Sequence, residues 1–421
     1  MFAFPPVRPD PAVDALRADL RAFLAEERAR GGFIPAVDCW VSAPDPAFSA
    51  RMGARGWIGM TWPRAYGGQD RPALHRHAVT EELLAAGAPV AAHWIADRQT
   101  GPQILRHGTE AQRREILPRL AAGAAFCAIG MSESHAGSDL AAVRATATRV
   151  PARTAGTGTG TGTDAAAGTE TATDAAAATG TGTNAATATD AAHGWRLSGR
   201  KMWSTGAHLS RWMIVLARTS PPEGRDRRAG LSQFLVDLTL PGVEVSGIED
   251  LAGDAHFNET LFDDVALPQD ALLGAEGAGW AQVMGELALE RSGPERFLSS
   301  FSLLEAALPL LRPQGAGAER LGRLAARLAA LRRMSLGIAR MLEDGAAPAT
   351  EAALVKDLGA RFEVDLVQDL RAILGAVPAR DWPPGLAEML RAAIVHLPST
   401  GLRGGTAEVL RGIVARSLGM R

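Results

Sequence analysis

The chain has 421 residues, enough at roughly 150 residues per domain for two or three folding units. Hydrophobic residues make up 47% and charged residues 21%, which allows a large core and excludes a chain disordered throughout. Lys and Arg number 44 against 46 Asp and Glu, so the net charge of −2 carries no basic excess for nucleic acid, and Cys39 and Cys127 alone are too few for a disulfide framework or a Cys-rich zinc site. No apolar run reaches the ~18 residues of a membrane span, and the proline-rich start, MFAFPPVRPDP, has no signal-peptide core. A soluble, cytoplasmic protein is expected.

In chain order, Val13, Leu16, Leu20, Phe23 and Leu24 recur at helical steps, and Gly31-Gly32 ends that helix. Further helices are predicted over about 46–55, 73–86 and 110–121, the last with Thr109 as N-cap and Glu110 in its first turn. Tyr66-Gly67-Gly68 reads as a loop. From Phe126 the pattern shortens to β-branched or alternating runs: FCAIGMSE, RVPAR, GWRLSGRKMWST, RWMIVLARTS, LSQFLVDL, GVEVSGI and ETLFDDVALP. Between them, residues 154–192 are nearly all Thr, Ala, Gly and acid, and read as a flexible insertion. From about residue 269 four Leu/Ala-rich amphipathic helices are predicted, over 278–311, 318–345, 350–375 and 405–418. Arg320, Arg323 and Arg327 lie at helical spacing and read as a solvated or subunit-facing stripe. The expectation is an α+β protein: an N-terminal helical domain (1–124), a β-barrel-like middle domain (125–268) carrying the insertion, and a C-terminal four-helix bundle (269–421).

Several motifs are missing. Gly130-Met131-Ser132-Glu133-Ser134 ends in Ser and is no nucleophile elbow, and there is no H-E-x-x-H, P-loop or Cys/His metal spacing. Hydrolase and metalloenzyme readings have no support, and no metal is expected. Three segments stand out. In AIGMSESHAGSDL (128–140), Ser132 and Ser138 offer hydroxyls after a strand; an ordinary polar turn explains them equally. In GRKMWSTGAHLSRW (199–212), Trp203 suits a planar ring and Thr205 a ring acceptor; a core Trp beside a strand Thr is the plain alternative. In LRGGTAEVLRGIVAR (402–416), Gly404 and Gly405 permit a close backbone approach and Thr406 starts a helix whose free N–H groups favour a phosphate or an electron-rich ring; a Gly-rich helix start explains this as well.

With GWIGMTWPRAYGG (56–68), HGTEAQRREILPRLAAG (107–123), HFNETLFDDVALP (256–268) and GAGWAQVMGELALER (277–291), these segments fall in an order that resembles the acyl-CoA dehydrogenase family. The resemblance covers nearly the whole chain outside 154–192 and implies the three-domain fold just read. It also implies FAD bound between β domain and bundle, a homodimer or homotetramer, an acyl-CoA substrate and an electron-transfer flavoprotein as partner. Carried over by motif, Ser132 meets the flavin ring region, Ser138 the pyrophosphate, Trp203 flanks the isoalloxazine, Thr205 donates to its reactive edge, and Thr406 and Glu408 contact the cofactor from the bundle.

The implied chemistry is α,β-dehydrogenation, in which a carboxylate takes the α-proton and the β-hydrogen leaves as hydride. Many members carry that Glu just before the Gly-Thr of the C-terminal motif; here the position is Gly404. A second branch uses a Leu-Glu-Arg motif on the first bundle helix, and this chain has Leu289-Glu290-Arg291, so the resemblance assigns Glu290 as base, Arg291 as a substrate contact and Glu286 as substitute base. Two departures stand: LLRPQGAGAERLG (310–322) lacks the family's Arg-x-x-Phe-Gly, and LRAILGAVPARDWPP (370–384) is altered on the adenine side. Gly404 and the missing arginine motif keep open a non-catalytic or cofactor-sharing subunit of a mixed oligomer, and a flavin-dependent oxidase or monooxygenase on the same fold, which needs no carboxylate base, is a third reading that Glu290 argues against.

Overall fold

The computed structural model describes residues 4–150, 193–291, 293–311 and 316–420, without the side chains at 193, 287–290 and 316. The 154–192 insertion and the Glu290 side chain therefore lie outside the described residues.

The N-terminal domain is helical: α1 (Pro11–Ala29), α2 (Cys39–Ser42), α3 (Pro46–Ala54), α4 (Ala73–Ala85), α5 (Ala91–Ile95), α6 (Gly101–His107) and α7 (Glu110–Ala121). Asp10 caps α1 by accepting from the Ala12 N–H at 2.9 Å, with Pro11 preset at the first helical position. Thr109 caps α7 in a reciprocal box with Gln112. No helix was expected over 91–107. There α5 runs into α6 through a π-helical turn, Ala96–Thr100, in which Arg98, Gln99 and Thr100 are buried. Polar residues face inward, so the apolar period that would announce a helix is absent. Such turns occur often at functional sites.

The middle domain is one mixed eight-stranded sheet: β1 (Cys127–Gly130), β2 (Thr146–Arg149), β3 (His193–Thr205), β4 (Trp212–Arg218), β5 (Leu231–Asp237), β6 (Val243–Ile248), β7 (Phe257–Pro268) and β8 (Leu272–Leu273), in the order β6-β7-β3-β2-β4-β5-β8 with β1 parallel to β4. The strand expected from RVPAR begins earlier, at Thr146, and the described chain stops at 150. Trp195 packs edge-on against Phe234 at 5.0 Å in the sheet's core.

The bundle holds α8 (Gly279–Glu290), α9 (Phe301–Ala307), α10 (Ala316–Glu343), α11 (Ala349–Leu374), α12 (Leu386–Thr400) and α13 (Ala407–Ser417). Two expectations are corrected here. The helix foreseen over 278–311 is broken after Glu290, because Gly293-Pro294 opens a 3-10 turn, Pro294–Arg296, and proline cannot continue an α-helix. α12 was not foreseen, since DWPPG precedes it and Pro398 interrupts its period. The arginine stripe faces a neighbour: Arg320 pairs with Asp369 at 2.5 Å and Arg327 with Asp365 at 2.6 Å, both on α11. N-terminal helices and bundle share one apolar core, where Phe48, Trp94, Phe297 and Phe362 are buried together. Among the described residues no helix is long and apolar enough to cross a membrane.

Candidate active site

The pairing of β3 with β7 slips between Lys201 and Ser204. Inside that bulge Trp203 takes φ +63°, a left-handed conformation that strains a side-chain-bearing residue by roughly 1–2 kcal/mol. Bulges re-aim side chains, and here the indole is turned out, 54% exposed, in a T-shaped contact with Phe257 at 6.0 Å.

A buried ion pair anchors the bulge. Lys201 is 0% exposed, and its Nζ donates to Glu133 Oε1 at 2.7 Å and to the Met131 carbonyl at 3.1 Å. Glu133 also accepts from the N–H groups of Arg144 (2.8 Å) and Ala145 (2.9 Å). Burial pulls the Lys201 ammonium down to about 8 against the opposing pull of Glu133. Burial pushes the Glu133 carboxyl up, but Lys201 and the two N–H donors outweigh it and hold the group below its ordinary range. Between the two charges the Met202 N–H donates to the Ser132 carbonyl at 2.9 Å. Ser132, Trp203 and Thr205 thus lie along one edge, the two hydroxyl residues half-buried and the ring exposed. An exposed aromatic ring near two half-buried hydroxyl residues fits a flat, acceptor-bearing ring such as a flavin. Ser138 is exposed farther along the loop, beside Asp139, which pairs with Arg227 at 2.6 Å.

The second part of the site is in the bundle. Arg291, 7% exposed, donates from Nε to the Gly404 carbonyl at 2.8 Å. Gly404 and Gly405 have φ +70° and +107°, and a Cβ on Gly405 would sit 3.2 Å from the Arg291 guanidinium, so backbone and arginine both call for glycine there. Thr406 is the N-cap of α13, and Glu408 is exposed in its first turn. Its own backbone N–H and then the Thr406 hydroxyl hold the Glu408 carboxylate below the usual range. Glu290 is the last residue of α8, next to Arg291, and Glu286 one turn earlier is fully buried. Among the described residues no hydrogen bond or ion pair joins the Ser132–Trp203–Thr205 edge to the Arg291–Gly404–Thr406 turn.

Motif reading missed the bracing of that turn. Arg403 pairs with Asp38 at 2.9 Å and lies 4.8 Å over the Trp40 ring. Trp40 donates to Ser299 at 2.8 Å, and the N–H groups of Ser299 and Ser300 donate to Glu363, whose carboxyl burial pushes up to about 7. Arg98, from the π-helical turn, pairs with Glu295 at 2.8 Å. These residues come from separate stretches of chain, so no local pattern announces them.

The family matches agree with this architecture. Residues 10–124 match the acyl-CoA dehydrogenase N-terminal domain, 128–265 the middle domain and 304–419 the C-terminal domain. Acyl-CoA dehydrogenase IpdE1 of Mycobacterium tuberculosis is 30% identical over 97% of this chain and 98% of its own length. The ChsE4-ChsE5 complex from Mycobacterium tuberculosis has a chain 26% identical, with a TM-score of 0.73 over 99% of both chains. The Tcur3481-Tcur3483 steroid ACAD, 24% identical, shares the fold with a TM-score of 0.77 over 98% of this chain and 99% of its own. This chain belongs to the acyl-CoA dehydrogenase family of FAD-binding enzymes.

Proposed function

We propose that this chain removes one hydrogen each from Cα and Cβ of an acyl-CoA thioester, giving the trans-2-enoyl-CoA, with Glu290 as the base and an electron-transfer flavoprotein as electron acceptor. The observation that carries the reading is the Arg291–Gly404 hydrogen bond of 2.8 Å. It joins the two points of the chain at which the family resemblance puts the carboxylate. Gly404 has no side chain to offer, which leaves Glu290, adjacent to Arg291, to take the α-proton on a carboxylate oxygen. Glu286 is the substitute. Arg291 acts on the substrate through the turn that it holds, as a positioning residue. Trp203, Ser132 and Thr205 would hold the isoalloxazine, Ser138 the pyrophosphate, and Thr406 and Glu408 would contact the cofactor from α13. FAD, when bound, supplies the two-electron acceptor for the β-hydrogen.

A mixed oligomer is the second reading. The stretch 310–322 lacks the family's arginine motif, and a chain 26% identical comes from a complex of two named proteins, ChsE4 and ChsE5. The test is anaerobic turnover of straight-chain, branched and steroid side-chain CoA thioesters with ferrocenium as electron acceptor, with product mass, flavin per chain and molar mass measured together. A product two hydrogens lighter, from a homo-oligomer with near-stoichiometric flavin, supports the first reading. Oxygen in the product of an aerobic control points to a monooxygenase, and a flavin-free chain that gains flavin with a partner points to a shared site.

A further inference from the structure

We propose that Asp250, Asp254 and His396, with His256 beside them, form a binding site for one divalent transition-metal ion of the zinc class. Ligand atoms of Asp250, Asp254 and His396 lie within 4.8 Å of one another. Asp250 Oδ2 is 3.8 Å from His256 Nε2 and 3.9 Å from His396 Nδ1. Those separations exceed a hydrogen bond. The two Asp250–histidine separations are about 0.5 Å wider than the roughly 3.4 Å between neighbouring ligands on a tetrahedral ion with bonds near 2.1 Å, so an ion would draw the side chains slightly together.

The second observation is His256 itself. It is 6% exposed, and its Nδ1 is buried with no hydrogen-bond partner, while Nε2 faces the Asp250 carboxylate. At that 3.8 Å separation Nε2 makes no hydrogen bond, so the nitrogen of this buried ring that faces the carboxylates is the one available to an ion. Backbone donors orient Asp250. Its Oδ1 accepts from Ala252 N–H (2.7 Å) and Asp254 N–H (3.2 Å), which leaves Oδ2 toward the histidines. Two carboxylates balance a doubly charged ion, and mixed nitrogen and oxygen ligands suit zinc better than magnesium or calcium.

The site bridges two domains. Residues 250–256 lie between β6 and β7, whereas His396 is on α12 of the bundle. The ion would clip the sheet to the bundle close to Trp203, since the His256 ring is 4.3 Å from that of Phe257, on which Trp203 packs. The family resemblance does not include this site, and no Cys/His spacing forecast it, because the fourth side chain arrives from a distant helix.

The test is calorimetric titration of the EDTA-stripped full-length chain with ZnCl2 in excess MgCl2, alongside thermal unfolding with and without zinc. One zinc per chain is expected, with a zinc-dependent rise in Tm. Asp254→Asn and His396→Ala should each weaken binding at least about ten-fold and abolish the Tm rise. Asp254 is exposed, so its variant is expected to fold like the wild type. No saturable zinc uptake by the wild type, or unchanged affinity in Asp254→Asn, overturns the proposal. Neither readout uses turnover, so failure here leaves the dehydrogenase reading untouched, and the reverse.

Discussion

Trp203 holds a backbone conformation, φ +63°, that glycine adopts freely, and its ring is 54% exposed. Packing does not repay that strain, which points to the cofactor as the partner of the ring. Trp203→Gly is expected to leave the urea-unfolding free energy of the flavin-free chain unchanged or raised by about 1 kcal/mol, and to weaken FAD binding at least ten-fold. A destabilised variant that binds FAD normally would make Trp203 structural. Ser132, Trp203 and Thr205 each sit in a contiguous motif, which is why the sequence singles them out. The left-handed backbone was not, since it comes from a register slip against β7 that only pairing reveals. Arg403 and Asp38 were equally hidden: an ion pair between residues so far apart leaves no mark on either local pattern.

At the scale of elements, the Lys201–Glu133 pair fastens β3 to the loop after β1. Removing one partner strands a buried charge. Lys201→Met should therefore lower stability by about 3–5 kcal/mol, and a Lys201→Met/Glu133→Leu double variant should recover much of it. Equal losses in single and double variants, measured by urea unfolding, would contradict the pairing. The Arg291–Gly404 contact gives a second element-scale expectation. Moving the carboxylate across it, in Glu290→Gly/Gly404→Glu, should regain part of the turnover that Glu290→Gly loses, less the strain of a Glu at φ +70°; no gain in a double variant that unfolds at the same urea midpoint as Glu290→Gly would place the two backbone points too far apart to share a base. Helices with clean apolar periods and caps, such as α1 and α7, were legible nearly to the residue. The π-helical turn and the break at Gly293-Pro294 were not. In the first, polar residues point inward; in the second, the apolar period resumes on the far side of the proline.

At the scale of the molecule, N-terminal helices and bundle form one core, so charge changes inside it act on global stability. His77 and His93 are buried, and burial drives each down to about 4. Between pH ~6.5 and that value the unfolded chain binds protons that the folded chain refuses, so stability falls as pH drops through this window. Glu363 acts oppositely: its folded carboxyl, pushed up to about 7, keeps a proton that the unfolded chain releases above its ordinary value, so acid favours folding there. Two histidines against one carboxyl leave a net loss of about 3 kcal/mol by pH 4. The urea midpoint should be lower at pH 4.5 than at pH 7, and His93→Asn should flatten that difference; an unchanged pH slope would remove His93 from the explanation. The three-domain order was legible from the shift between helical and strand-like periods, whereas the fusion of first and last domains into one core depends on packing. The proposed chemistry stands or falls on Glu290 as the group that takes the α-proton. The decisive experiment is anaerobic single-turnover mixing of the FAD-loaded chain with a thioester that it oxidises, followed by flavin bleaching, for wild type and Glu290→Gln. Bleaching is expected to slow roughly a thousand-fold in the variant, with FAD and thioester still bound. Bleaching at the wild-type rate in Glu290→Gln would remove Glu290 as the base.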